Sequence, residues 1–290
     1  MIAAPIRVRA PATSANLGPG FDCLGLALDL WNEVEAVPGA CRPDPDNLIL
    51  RAAGRVFDEL GSANPGFKLR CTNRIPFSRG LGSSAAAIVC GVLLANHCLG
   101  APLSPSECLR IATELEGHPD NVTPCLSGGV CAAVRTERGE VLYSNVPLAL
   151  ELRAVLFIPE ISVTTVHARA LLPATVARED ALFNVARSSL LVAALASGRA
   201  DLLAEATRDR LHQPFRLPMF PAGATLLRNA MDAGALGAFS SGAGPSVLAL
   251  CDSEPAAEHV RDRLVSSARE QSVAGTAITL ELTARGAYVD

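Results

Sequence analysis

The sequence predicts an α+β protein of two modest domains. At 290 residues the chain exceeds the needs of one minimal core and suits two domains in close contact. Segments that alternate apolar and polar residues intermix with segments of helical spacing, without the strict strand–helix–strand rhythm of a doubly wound sheet. The hydrophobic fraction is 49% with only 4% aromatic residues, so Ala, Val and Leu must build the core, which favours helices lying close on a sheet. A strand-like run, ELRAVLFIPE, opens near residue 150, and the expected units are residues 1–150 and 151–290.

In chain order, residues 5–10 (PIRVRA) alternate as a strand and run into a loop, PATSANLGPGFD. Residues 48–60 (LILRAAGRVFDEL) have helical spacing and stop at Gly61; residues 66–71 (GFKLRC) alternate again. A glycine turn, Arg79-Gly80-Leu81-Gly82, then opens directly into an Ala/Val/Leu helix. Ser104, Pro105 and Glu107 supply an N-cap, a proline at the first helical position and a capping-box acid. That helix should stop at Gly117, because Pro119 cannot continue it. In the second half, helices are expected near 178–197, 200–212 and 223–233. They are followed by a strand (ALGAFSS), a Gly-Ala-Gly turn, a strand (SVLALC), a helix (AAEHVRDRLVSSARE) and a strand (ITLELTA).

Composition excludes several classes. Charged residues are 19% and the net charge is −4, so no basic surface marks a nucleic-acid partner. No stretch approaches the roughly 20 apolar residues of a membrane span, and the first residues lack a signal-peptide core. Nine cysteines, with no C-x-x-C pair and no zinc spacing, read as thiols held reduced in a cytoplasm, most of them in apolar runs.

The most informative stretch is Pro76-Phe77-Ser78-Arg79-Gly80-Leu81-Gly82-Ser83-Ser84-Ala85-Ala86. Gly80 and Gly82 let a ligand approach the backbone, and the helix that follows aims its free N–H groups and positive dipole end at the same point. That geometry suits an anion, phosphate above all. Either Ser83 or Ser84 offers a hydroxyl for Mg²⁺ beside the phosphate. The loop lacks the Lys of a Walker A motif, and Ala85 stands where a dinucleotide fingerprint needs its third Gly.

This string resembles the second motif of the GHMP kinases. Pro11-Ala12-Thr13-Ser14-Ala15-Asn16-Leu17-Gly18-Pro19-Gly20-Phe21-Asp22 looks like the homoserine kinase form of the first motif, and Gly237–Ser246 (GAFSSGAGPS) looks like the third. With the central Glu116-Gly117-His118-Pro119-Asp120-Asn121 segment, the resemblance spans nearly the whole chain. It implies a ribosomal protein S5 domain 2-like N-terminal domain, a ferredoxin-like C-terminal domain, ATP as phosphoryl donor, and Mg²⁺ on Ser84 and Glu116. Asn47 stands where the family reaches adenine, and equally where a turn residue would open the helix.

Within the superfamily, the resemblance to homoserine kinases implies L-homoserine as acceptor. An amino acid carboxylate calls for arginine, and Arg169 and Arg216 stand where homoserine kinases carry theirs. Asp22 and Asp120 are candidates for the ammonium, with Asn16 and His118 lining the same pocket. Asn121 stands at the position facing the acceptor hydroxyl; with Asp120 it is expected to align that group instead of taking its proton. The EGHPDN segment is more compact than in some homoserine kinases, which leaves the relation of Glu116 to Asp120 to the structure. Two other readings fit these motifs: a mevalonate-type GHMP kinase and a catalytically silent ligand sensor. A homodimer is compatible with the sequence.

Overall fold

The structure, a computed structural model, describes residues 5–39, 44 and 46–290, so the expectation for Cys41 lies outside the described residues. The first half runs β1 (Ile6–Ala15), β2 (Leu24–Pro38), α1 (Leu48–Glu59), β3 (Phe67–Thr72), α2 (Ser83–Cys98), α3 (Pro105–Glu116), α4 (Pro119–Ser127), β4 (Val130–Arg135) and β5 (Val141–Val146). The second runs β6 (Arg153–Pro159), α5 (Thr165–Ala170), α6 (Arg178–Ser197), α7 (Leu203–Ala206), α8 (Gln213–Arg216), α9 (Ala222–Asp232), β7 (Gly237–Ser240), β8 (Val247–Cys251), α10 (Glu254–Glu270), β9 (Gly275–Glu281) and β10 (Tyr288–Val289).

These elements make the α+β, two-sheet architecture that the sequence predicts. One sheet has the order β10-β1-β2-β4-β5, with β3 also on β2; the other has the order β7-β8-β6-β9. The named pairings are antiparallel. The period-two alternation of β6 joins the halves. Ala154 and Leu156 face the large core shared with the first half, while Val155 and Phe157 pack with Leu226 of α9 and Val260 and Leu264 of α10. Helix α2 is buried on most of its surface, as its run of Ala, Val and Leu requires.

Two local expectations need correction, and one further helix was not anticipated. β1 continues through Pro11 to Ala15, where a loop was expected. Its partner β10 pairs only Val8 and Arg9, so beyond Arg9 that flank demands no ladder donor and Pro11 is tolerated. The segment after Gly117 is α4, with Pro119 at its first position, which proline favours. Asp120 and Asn121 therefore sit in a helical first turn. The helix expected over 200–212 breaks after Ala206. The buried Asp209 carboxylate accepts the backbone N–H groups of Leu211, His212 and Gln213, competing with helical bonding.

Among the described cysteines all thiols are free; Cys90, Cys108, Cys125, Cys131 and Cys251 are buried, and Cys71 is exposed. Burial pushes the Cys90 thiol up to about 12, which leaves it inert. No helix among the described residues is long and apolar enough to cross a membrane.

Candidate active site

The glycine turn, the central segment and the first and third motifs meet at one cavity of about 290 Å³. Gly80 and Gly82 both adopt left-handed backbone, with φ of 74° and 68°. A Cβ on Gly82 would lie 1.9 Å from Thr13 Oγ1, and one on Gly80 would lie 2.1 Å from the Ser241 carbonyl oxygen. The turn is thus pressed between β1 and the third motif. The Ser241 hydroxyl donates to the Gly80 carbonyl at 2.7 Å and lies 2.8 Å from the Ser14 hydroxyl, tying all three together. A Gly82→Ala variant combines a positive φ with this overlap. It is expected to lose about 3 kcal/mol of stability in urea denaturation, together with nucleotide binding.

Helix α2 begins at Ser83, and the N–H groups of its first turn, which have no intrahelical acceptors, receive no side-chain cap from Gly82. Residues 77–84 line the cavity. The Ser83 hydroxyl is buried without a hydrogen-bond partner, a donor that an anionic ligand would satisfy. Pro76 lies outside the lining, and Ala85 and Ala86 are fully buried in the core, where their side chains pack α2. Arg79 bonds the carbonyls of Phe77, Pro159 and Glu160, so its guanidinium fastens the loop to β6. Asn47 caps α1, with Oδ1 accepting from Ile49 and Leu50; its neighbour Leu48 lines the cavity.

Glu116 ends α3 beside this loop, and Ser84 Oγ donates to its Oε1 at 2.6 Å. The compact EGHPDN turn brings α3 and α4 to one wall. Burial raises the Glu116 pKa, opposed by the Ser84 bond. An all-oxygen pair at the mouth of an uncapped helix, beside the orphan Ser83 hydroxyl, fits a hard divalent cation.

The acceptor end gathers the remaining candidates. Asn16 and Asp22 both have left-handed backbone; Asn16 Nδ2 donates to the Gly242 carbonyl at 2.9 Å, and Asn16 Oδ1 accepts from the Asp22 N–H at 3.1 Å. Arg169 holds Asp22 with a two-pronged bond, at 2.9 and 2.5 Å. His118 Nδ1 bonds the buried Asp120 carboxylate. Burial opposes charge on His118, but the bond to Asp120 and the nearby acids outweigh it and raise its pKa. Polar atoms of Asp22, His118 and Asp120 lie within 4.8 Å of one another. Asn121 stands beside them, and its Oδ1 accepts from Thr13 Oγ1 at 2.7 Å.

Arg216 is 5% exposed and has no carboxylate partner among the described residues. Its contacts are the Ala168 and Gly242 carbonyls and His212 Nδ1, at 3.3, 3.4 and 3.4 Å. Burial and the neighbouring Arg169 charge push its pKa down to about 10, so the site favours an anion that would neutralise it. Phe21 underlies both guanidiniums, 5.5 Å from Arg169 and 5.0 Å from Arg216. His212 also stacks on the Phe21 ring and donates from Nε2 to the Gly18 carbonyl at 2.7 Å, which leaves Nδ1 to accept from Arg216.

The sequence reading passed over Thr13, Phe21 and His212 as site residues. The spacing of His212 four residues before Arg216 is a usable signal for that pair. Nothing local marks Thr13, which reads as one small residue in a strand.

The GHMP kinases N terminal domain family matches residues 47–129, and the GHMP kinases C terminal family matches residues 191–270. A homoserine kinase of Gloeobacter violaceus is 46% identical, across 90% of this chain and 92% of that protein. The chain belongs to the homoserine kinase family of GHMP kinases. A homoserine kinase of Desulfitobacterium hafniense is 40% identical across 98% of this chain and 99% of that protein. The crystal structure of homoserine kinase from Cytophaga hutchinsonii superposes with a TM-score of 0.89 at 30% identity, covering 99% of this chain and 97% of that one. The L. major mevalonate kinase solved with R-mevalonate shares the fold, with a TM-score of 0.68 at 16% identity, covering 97% and 98%.

Proposed function

We propose that this protein transfers the γ-phosphoryl group of ATP to the side-chain hydroxyl of L-homoserine, giving O-phospho-L-homoserine for threonine synthesis. The observation that carries the acceptor assignment is the charge pattern of one cavity: a buried, unneutralised Arg216 beside the Arg169–Asp22 pair and Asp120. Two guanidiniums and two carboxylates complement a zwitterion. A mevalonate-type acceptor has a carboxylate but no ammonium, and would leave the negative charge of Asp22 and Asp120 with no group of the acceptor to attract.

In this reading, nucleotide and acceptor meet between the units 1–150 and 151–290. The adenine lies toward Asn47 and Leu48, and the phosphates lie against the turn at residues 77–84 and the first N–H groups of α2. Arg169 and Arg216 hold the substrate carboxylate; Asp22 and Asp120 hold the ammonium, with Asn16 and His118 supporting them. Mg²⁺ held by Ser84 and Glu116 would add positive charge at the phosphate oxygens. Asn121 and Asp120 align the hydroxyl; its oxygen bonds to the γ-phosphorus as the bond to ADP breaks. Little activation of the nucleophile is needed in a loose transition state, so the proton leaves late, to the transferred phosphoryl group. The free thiols suit a reducing cytoplasm, and a homodimer is compatible with the site.

A coupled ADP-release assay with L-homoserine, L-threonine, mevalonate and galactose tests the assignment. L-Homoserine is expected to give the highest kcat/KM. Faster turnover of mevalonate would sink the acceptor assignment and leave the kinase assignment standing, whereas no phosphate transfer at all would favour a sensor.

A further inference from the structure

We infer that Thr13 is a positioning residue, one that fixes Asn121 as a hydrogen-bond donor to the acceptor oxygen. This inference rests on the proposed phosphoryl transfer to a hydroxyl. Thr13 lies on β1 and is fully buried, and its hydroxyl donates to Asn121 Oδ1 at 2.7 Å. Rotating the Asn121 amide would place Nδ2 against that hydroxyl. The Thr13 proton would then have no acceptor among the described residues, in a place closed to water. The bond therefore selects one amide orientation.

That orientation has a chemical consequence. Asn121 Nδ2 has no protein acceptor among the described residues, and Asn121 lines the cavity. The face it turns toward the acceptor holds N–H donors and no lone pair. A donor there engages one lone pair of the substrate hydroxyl and leaves the other for the γ-phosphorus. The hydroxyl proton is directed away from Asn121, toward the phosphoryl oxygens. The O–P bond forms, the bond from phosphorus to ADP breaks, and the proton passes to the transferred group. The place above Gly82, where a Cβ would come within 1.9 Å of the same Thr13 oxygen, packs the phosphate turn against this pair. Phosphate and acceptor are thus registered on one hydroxyl.

Steady-state kinetics with L-homoserine and ATP on wild type, Thr13→Val, Thr13→Ser, Asn121→Leu and Thr13→Val/Asn121→Leu test this. Valine keeps the shape and removes the hydroxyl. Thr13→Val is expected to lower kcat roughly 10–100-fold, below the roughly 10²–10³-fold of an outright lost transition-state donor because the Asn121 amide is misaligned and not removed, with smaller changes in either KM. Thr13→Ser should recover most of that loss, and Thr13→Val should cost nothing further in the Asn121→Leu background. The inference is overturned if Thr13→Val stays within about twofold of wild type, if serine and valine are equally impaired, or if the valine penalty persists without Asn121. Should Thr13→Val lose its ATP-induced rise in Tm, Thr13→Ala in the same two backgrounds decides by the same rule. Inactivity of the wild type on L-homoserine would instead overturn the proposed reaction.

Discussion

Replacing Arg216 with leucine is expected to raise the KM for L-homoserine by about 10–100-fold while leaving Tm unchanged or higher. A hydrogen bond to a charged group contributes about 1.5–3 kcal/mol, and each 1.4 kcal/mol is tenfold in affinity. The stability side of the prediction follows from burial. Arg216 is 95% buried by its 5% exposure, and no carboxylate among the described residues neutralises it. Removing a buried charge that has no direct ion pair relieves its desolvation cost and the repulsion from Arg169, which together outweigh the lost attraction to Asp22, Asp209 and Asp120. A residue holding the fold together would behave in the opposite way, with Tm falling and KM little changed. Wild-type enzyme given 3-aminopropan-1-ol, which lacks the carboxylate, should show at least as large a loss, and Arg216→Leu should distinguish the two acceptors less than wild type does, with Arg169 supplying what discrimination is left. Arg216→Lys should recover only part of the affinity, because an ammonium cannot reproduce the planar fork.

The Glu116→Gln variant is expected to lose roughly 10²–10³-fold in kcat/KM, the scale set by removing one charged stabiliser from a phosphate site. It should also lose the Mg²⁺-dependent rise in Tm measured with nucleotide present, a readout independent of turnover. The pH dependence has a definite sign. Burial raises the folded-state pKa of Glu116 above its ordinary value. The carboxylate needed for the cation is therefore lost, as pH falls, at a higher pH than an exposed glutamate with a pKa of about 4.3 would show. The same shift makes ionised Glu116 unfavourable to the fold, so its contribution to stability declines as pH rises through the folded pKa. Glutamine removes both dependences. Wild-type Tm falling on raising the pH without Mg²⁺, and recovering with it, is the expected signature. A flat Mg²⁺ response in wild type would assign Glu116 a purely structural bond to Ser84.

What could be read from the chain was whatever short segments encode. The capping box at Ser104 and Glu107 appears as expected, with Ser104 Oγ and Glu107 reciprocally bonded. The glycine turn was legible because the positive φ at Gly80 and Gly82 favours glycine, a preference that single residues carry. The apolar runs of β6 and β8 were legible as strands, and the structure buries both of their faces. Pro119 was legible as a helix breaker, but not as the start of α4, since proline both ends one helix and favours the first turn of the next.

The pairings that make the site are another matter. Thr13 and Asn121 are 108 residues apart, and Asp22 and Arg169 are 147 apart. Residue type and ordered motifs placed Asn121, Asp22 and Arg169 among the candidates. They did not say that Asp22 would be held by Arg169 while Arg216 stood unneutralised, or that a buried hydroxyl would orient the Asn121 amide. Those outcomes depend on distances of a few ångströms between strands and helices brought together by a shared core. Electrostatic and hydrogen-bond energies fall off over such distances, and only packing in three dimensions sets them.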